Sequence, residues 1–404
     1  MTGRLVWEVA AIGLRRLWHG KLELLLVFVV PVVFFTIFAL IFTGGVSSGR
    51  TKKIKAAITD LDGSPQSAAL VARLVTNDAI RVITDDTPAS RDPELDEYDR
   101  ARDRILHGRA SVSLVVPEGW SKTFQDGVPG KVFVLYDSAD QIAPKLMTAI
   151  VQESLGATLA EWADEQAAEL AARAPPGAPQ PTAFAIPAGP PPVEAIDVLS
   201  SGKSNPVIAM YAAGIAVMFL LFSATGAAGS LIEEEETQTL ERLLASRLTM
   251  SHVLAGKWLN LTLVGAGQIV VMFGWAQVVF GLDVLARWDA FLLLTGVTAA
   301  AAAALALMLA AACRTRAQLN AVSVILVLTM SALGGSMVPR YVMSDTMQEI
   351  GRVTFNAWAI DGYTKLFWRD LPTAELWPEL ATMSAFCVAM LLIARVLATR
   401  WEGA

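Results

Sequence analysis

Only a few residues in this 404-residue chain could do chemistry by type and spacing, and each set has a plain alternative. The stretch SSGKSN at 200–205 ends as a phosphate-binding loop ends, with Gly202, Lys203 and Ser204. Such a loop needs a glycine five residues ahead of Gly202, where Asp197 stands, and a strand leading into it, where Pro190, Pro191 and Pro192 lie instead. Nucleotide binding is therefore not expected of this segment, and no cofactor is expected on this chain. Asp60, Asp62, Asp85 and Asp86 fall where strands end, positions that suit solvated turns and helix caps better than acid–base work. His19, His107 and His252 are scattered, and Cys313 and Cys387 lie in or beside apolar runs, so neither a zinc spacing nor a disulfide framework can be assembled. The reading is of a protein with no catalytic residues and no metal site.

The elements that would position any site are apolar. Hydrophobic residues make up 54% of the chain and charged residues 17%, with a mean hydropathy of +0.49, a balance that points to several membrane spans. The net charge of −6 gives no reason to expect nucleic acid as a partner. About 20 apolar residues cross the hydrocarbon as a helix. Segments 24–42, 207–232, 258–280, 290–312, 319–338 and 380–397 meet that length, and their cores hold no acidic residue. An ion pump or intramembrane peptidase would place ionisable groups there. The first run is expected to be retained, since no small-x-small cleavage pattern follows it.

Basic residues orient the spans. Arg4, Arg15, Arg16 and Lys21, then Arg242, Arg247 and Lys257, then Arg314 and Arg316, then Arg395 and Arg400, all fall on one side of a six-span arrangement. That side is expected to be cytoplasmic, with both termini inside. Residues 1–23 carry Arg4, Glu8, Arg15 and His19 near one face and Leu5, Val9, Ile12 and Gly13 on another, as an amphipathic helix in the interface would. Residues 43–206 then form an extracytoplasmic domain. Its β-like runs alternate with helical ones, which argues for an α/β or α+β fold, and a proline-rich linker occupies 174–192.

One polar stretch stands out between the second and third spans, LIEEEETQTLERLLASRLTM at 231–250. Glu233, Glu234, Glu235 and Glu236 cannot enter hydrocarbon, so they mark the end of a span. They could pair with basic residues on a partner or on this chain, or simply be solvated. Beyond them Leu240, Leu243, Leu244 and Leu248 recur at helical spacing, with Glu241, Arg242 and Arg247 on polar faces. The expectation is a short amphipathic helix with an apolar ridge for a partner's groove, followed by a helix capped at Ser251.

This stretch, through Gly256 and Lys257, resembles the cytoplasmic segment of ABC-2 type permeases, in which an acidic run precedes Gly-Thr-Leu-Glu-x-Leu-Leu and then Gly-Lys before the next span. Thr239, Leu240, Glu241, Leu243, Leu244, Gly256 and Lys257 match, while Gln238 and Arg247 stand where glycine and proline are usual. AAITDLDGSPQSAALVARL at 56–74, ASVSLVVPEGWSKTFQDG at 110–127 and the segment 332–368 are similar to the subgroup with a large domain after the first span. The resemblance implies a permease in the bacterial inner membrane, working with a second permease and with separate ABC-type ATPase subunits that hold ATP and Mg. The outer domain could meet an envelope partner. Segment 233–257 would include the ATPase contact, from Glu233 to Glu236 and Thr239 to Leu244.

Gln268, Gln277, Asn320 and Ser323 are candidates to line a translocation path, although interhelical hydrogen bonding explains such residues equally. Gly226 with Ser230, and the alanines of 299–304, would allow close helix approach. Weakly polar, uncharged spans suit a hydrophobic or amphiphilic substrate such as a lipid or drug. Short outer helices are expected over 339–379, with Pro339 ending the fifth span and Asp345 and Gln348 forming a helix-start box. A receptor or envelope scaffold that binds through the outer domain and transports nothing is the competing expectation.

Overall fold

Side-chain caps start several of the helices and left-handed glycines end two of them, so local chemistry sets those boundaries. Thr249 accepts the amide of His252, Thr315 that of Gln318, Ser344 that of Met347 and Thr354 that of Ala357, each at a helix head. Gly281 (φ +71°) and Gly335 (φ +100°) close two of the spans. The computed structural model describes residues 2–43, 53–83, 96–125, 130–137, 143–173, 193–198, 206–245, 248–338, 340 and 343–401. These fall into two units, one of Met1–Val46 with Lys203–Ala404 and one of Ser47–Gly202.

The chain begins with α1 (Thr2–His19), breaks at Gly20, and continues as α2 (Lys21–Leu24), a π-turn at Leu25–Val29 and α3 (Val30–Thr43). The wide turn sits just ahead of Pro31, whose ring and missing N–H spoil the regular bond to Val27.

The second unit follows as β1 (Ile54–Asp60), α4 (Pro65–Thr76), β2 (Ile80–Val82), α5 (Glu97–Leu106), β3 (Val112–Val116), α6 (Lys122–Gln125), β4 (Val132–Tyr136), α7 (Ala143–Arg173) and β5 (Val193–Asp197). Its described strands pair in the order β2-β1-β3-β4-β5, antiparallel only between β3 and β4. Alternation along the strands separates two cores. Ala56, Leu114 and Val134 face Leu70, Leu74, Met147, Val151 and Leu155 of α4 and α7, whereas Ala57, Val115 and Leu135 face Ala101 and Ile105 of α5. Both described aspartates after β1 hold turns. Asp60 accepts from the amides of Asp62 and Gly63 and from Ser67, and Asp62 accepts the amide of Ser121. Burial alone would raise the Asp62 pKa, but hydrogen bonds from Ser64, Ser121 and Gly119 outweigh it and hold the carboxyl below its ordinary value. A lowered folded-state pKa means stability that is present above the unfolded value and lost as pH falls through the folded one. Asp62→Asn should accordingly lower thermal stability at neutral pH by under about 1 kcal/mol, and the difference should shrink as pH falls below the ordinary carboxylate value. Asp85, Asp86, the proline-rich 174–192 stretch and the 200–205 motif lie outside the described residues.

The remainder runs through α8 (Pro206–Ala228), α9 (Ser230–Glu236), α10 (Thr239–Leu244), α11 (Met250–Phe280), α12 (Trp288–Ala312), α13 (Arg316–Gly334), α14 (Asp345–Gly351), α15 (Phe355–Phe367) and α16 (Trp377–Leu397). Six stretches among the described residues are long and apolar enough to cross a membrane, namely Lys21–Ile41, Ile208–Glu236, Met250–Phe280, Leu285–Ala312, Arg316–Gly334 and Thr373–Leu397. Each overlaps one of the runs read from hydropathy, and the bundle unit is that of a multi-pass membrane protein. α12 lies at its centre, packed on α8, α11 and α16. Ala299 and Ala301 to Ala304 are buried there, small enough to let neighbouring backbones close in. Phe273, Phe291, Tyr363 and Phe367 stack between α11, α12 and α15 with centroids 4.9 to 6.4 Å apart.

Five local expectations change. A strand, β5, does precede the 200–205 motif at Val193–Asp197, because these residues pair with β4 beyond the prolines. The cap of α11 is Thr249, in a reciprocal box with His252, and Ser251 lies inside the helix. The fifth span ends at Gly334, where Gly335 turns left-handed, ahead of Pro339, which lies outside the described residues. Ser344 caps α14 in place of an Asp345–Gln348 box, and Gln348 donates instead to the carbonyls of Arg340 and Met343. Gly226 is exposed with open space over its Cα, so the close approach falls at Gly229, beside Arg316 and Leu319.

Candidate functional site

The four glutamates continue a helix rather than leaving one. α9 follows α8 across Gly229 alone, in helical conformation. Glu233 then lies between two arginines, with Arg16 of α1 at 3.3 Å and Arg316 of α13 at 3.5 Å. Glu234 pairs with Lys257 of α11 at 2.5 Å, and the same ammonium donates to Ser230 at 3.0 Å. Two adjacent carboxylates thus tie α9 to three other helices. The Glu234–Lys257 pair is mostly buried, with side chains 23% and 14% exposed, and water screens it little. Glu235 is half-buried and Glu236 exposed.

α11 has 31 residues, about 46 Å of helix, against about 30 Å of hydrocarbon. The helix is therefore longer than the apolar layer is thick, and Gly256 and Lys257 fall within its first two turns. A Cβ on Gly256 would sit 2.5 Å from that of Val9 and 2.9 Å from the Val6 carbonyl oxygen, and one on Gly13 would sit 2.6 Å from the Asn260 amide. One glycine on each helix lets α1 lie flush on α11.

α9 ends at Glu236 with Thr237 as its cap, and Gln238 takes the left-handed conformation (φ +55°, ψ +15°) before α10. A side chain in this conformation costs about 1 kcal/mol that glycine avoids. Gln238→Gly should therefore raise thermal stability by up to about 1 kcal/mol, read as a higher unfolding midpoint in detergent.

The apolar ridge expected on α10 turns inward. Leu240 is 2% exposed and packs with Leu231, Met250, Val253, Leu254, Ala311, Ala398 and Trp401; Leu244 rests against the same cluster, and Leu243 is half-buried. The faces left to solvent carry Thr239, Glu241 and Arg242. Leu240 is thus an interior residue, and whatever docks here meets polar side chains. Arg247 lies outside the described residues.

The four path candidates are not brought together. Gln268 is buried and accepts from Ser223 of α8 at 2.6 Å. Gln277 is half-buried on the same helix, α11. Ser323 is buried and Asn320 exposed on α13. α8 separates the pairs. Ser223 faces α11, whereas Gly214, nine residues or two and a half turns earlier, meets Ser336 just past α13, which places α13 on the opposite side.

Several residues of the brace carry no sequence signal of their own. Gly256 and Lys257 belong to a recognisable motif, but Arg16 and Arg316 read only as cations flanking spans. Their meeting at Glu233 joins positions more than 200 residues apart, with Arg16 and Glu233 separated by 217.

Six candidate spans with an ion-paired, partly exposed polar segment between the second and third define a multi-pass membrane component. Residues 21–396 match the family described as ABC-2 family transporter protein, and the chain belongs to that family. Comparison with curated proteins gives no match. Membership makes it a membrane component of an ABC transporter, of a kind typically not itself catalytic, and implies association with an ABC ATPase.

Proposed function

We propose that this chain is the permease subunit of an ATP-driven exporter and that segment 233–257 receives the motion of a separate ATPase, which binds ATP and Mg. The observation that carries the reading is the pair of adjacent glutamates, which makes α1, α11 and α13 move with α9. A push on α10 would thereby tilt several spans at once. The contact is assigned to Thr239, Glu241 and Arg242, with Glu235 and Glu236 beside them. Both termini and this segment lie in the cytoplasm, on the strength of the basic residues gathered at that end, and the 47–202 unit lies outside the inner membrane. It belongs to the subgroup with a large domain after the first span, and an envelope partner could meet it there.

A second permease completes the path. Asn320 stands exposed among Val322, Val324, Ile325 and Leu328 on α13, and an amide on a spanning surface is better satisfied by another protein than by lipid. The buried polar groups Gln268 with Ser223, and Asn356 with Ser331 and Ser336, are uncharged. They suit a hydrophobic or amphiphilic substrate, a lipid or drug, moved out of the cytoplasm or the inner leaflet.

Paired charge reversal at Glu241→Lys and Arg242→Glu tests the contact. The variant should keep its unfolding midpoint, since both side chains are exposed, and lose at least about tenfold in recovery of the ATPase. Undiminished recovery would remove α10 from the interface, and failure of the unaltered chain to bring down any ATPase would favour the receptor or scaffold alternative.

A further inference from the structure

We infer that the turn after the sixth span, through Trp401, is a positioning element that carries movement of α10 into α16. This rests on the reading of 233–257 as the ATPase contact. Spans two and three are covalently continuous with that segment, and span six is not. It nevertheless ends against it. α16 stops at Leu397, and the tight turn Ala398–Trp401 folds into the cluster that holds Leu240. Ala398 is fully buried and Trp401 is 7% exposed, among Leu231, Leu240, Met250, Val253 and Leu254.

A second contact stands beside this one, with Arg395 of α16 donating to Ser251 in the first turn of α11 at 3.0 Å. α10 has only six residues, too short to hold its shape by helix propensity. Its place is fixed by what Leu240 rests on, and Trp401 is the largest side chain in that seat. Close-packed interiors pass on displacement instead of absorbing it, so a shift of α10 should move the end of α16 as well as α9 and α11.

The test compares amide exchange in the full chain, complexed with its co-purifying ATPase, with and without vanadate-trapped nucleotide. Trapping should change exchange in 239–258 and also in 390–401. Trp401→Ala should keep the first change and shrink the second by about fivefold, and Trp401→Phe should retain both. If the alanine variant does not assemble, Trp401→Leu and the unaltered chain carry the test. The inference is overturned if 239–258 responds in the unaltered chain and 390–401 does not, or if the alanine or leucine variant keeps the full response. A chain in which 239–258 itself is unmoved sinks the parent reading, and this inference with it.

Discussion

Lys257→Met is expected to lower the stability of the bundle by about 3 kcal/mol, because it leaves the Glu234 carboxylate buried without its cation. Ser230 alone cannot offset that loss, since its hydroxyl contacts the ammonium and not the carboxylate among the described contacts. Adding Glu234→Gln should restore most of the stability. A paired and desolvated ion pair can be replaced by neutral groups of similar size at little net cost, whereas removing one partner is expensive. The coupling between the two positions, measured as a double-mutant cycle on unfolding midpoints in one detergent, should be about 2 kcal/mol. Additive effects would mean that the two side chains do not act as a pair. The same cycle separates structure from function, for the double variant should stay folded yet transmit motion from α9 to α11 less well.

Gly256→Leu should be comparably severe by a different route. The new side chain would have to occupy the space of Val9 and of the Val6 carbonyl, and the latter is backbone that cannot rotate away. Overpacking of this kind costs about 3 kcal/mol if α1 stays in place. The cheaper outcome is for α1 to lift off, exposing Ala10, which is now fully buried. Limited proteolysis should then cut within 2–19 in the variant at an enzyme dose that spares the unaltered chain, while the remaining spans stay protected. Equal protection would show that α1 is not held by this packing. Gly256→Ala should give the same direction with a smaller effect, and Gly13→Ala should be milder still, because it meets only the Asn260 side-chain amide, which can turn aside.

These two positions also show what the sequence could reveal. The spans were legible because hydropathy and length suffice to find them. The strand–helix alternation of the 47–202 unit was legible because β1 and β3 are short apolar runs bounded by turn residues. Gly256 and Lys257 could be picked out as a motif, but their reasons are tertiary. The glycine is needed because Val6 and Val9 arrive from the far end of the chain, and the lysine is needed because Glu234 is buried. Leu240 illustrates the opposite failure. Its spacing with Leu243 and Leu244 predicts an apolar face correctly, but periodicity cannot say whether that face seeks a partner or the chain's own interior. Trp401 and Ala398 decide it, and no local pattern links them to α10. The path candidates are divided between the two sides of α8, which polar type alone does not foretell.

The central claim is that a separate ATPase acts on this chain, and purification from native cells in mild detergent tests it most directly. A stoichiometric ATP-binding subunit should co-purify, and the preparation should hydrolyse ATP. A folded chain that repeatedly brings down no ATPase and shows no hydrolysis would contradict the account.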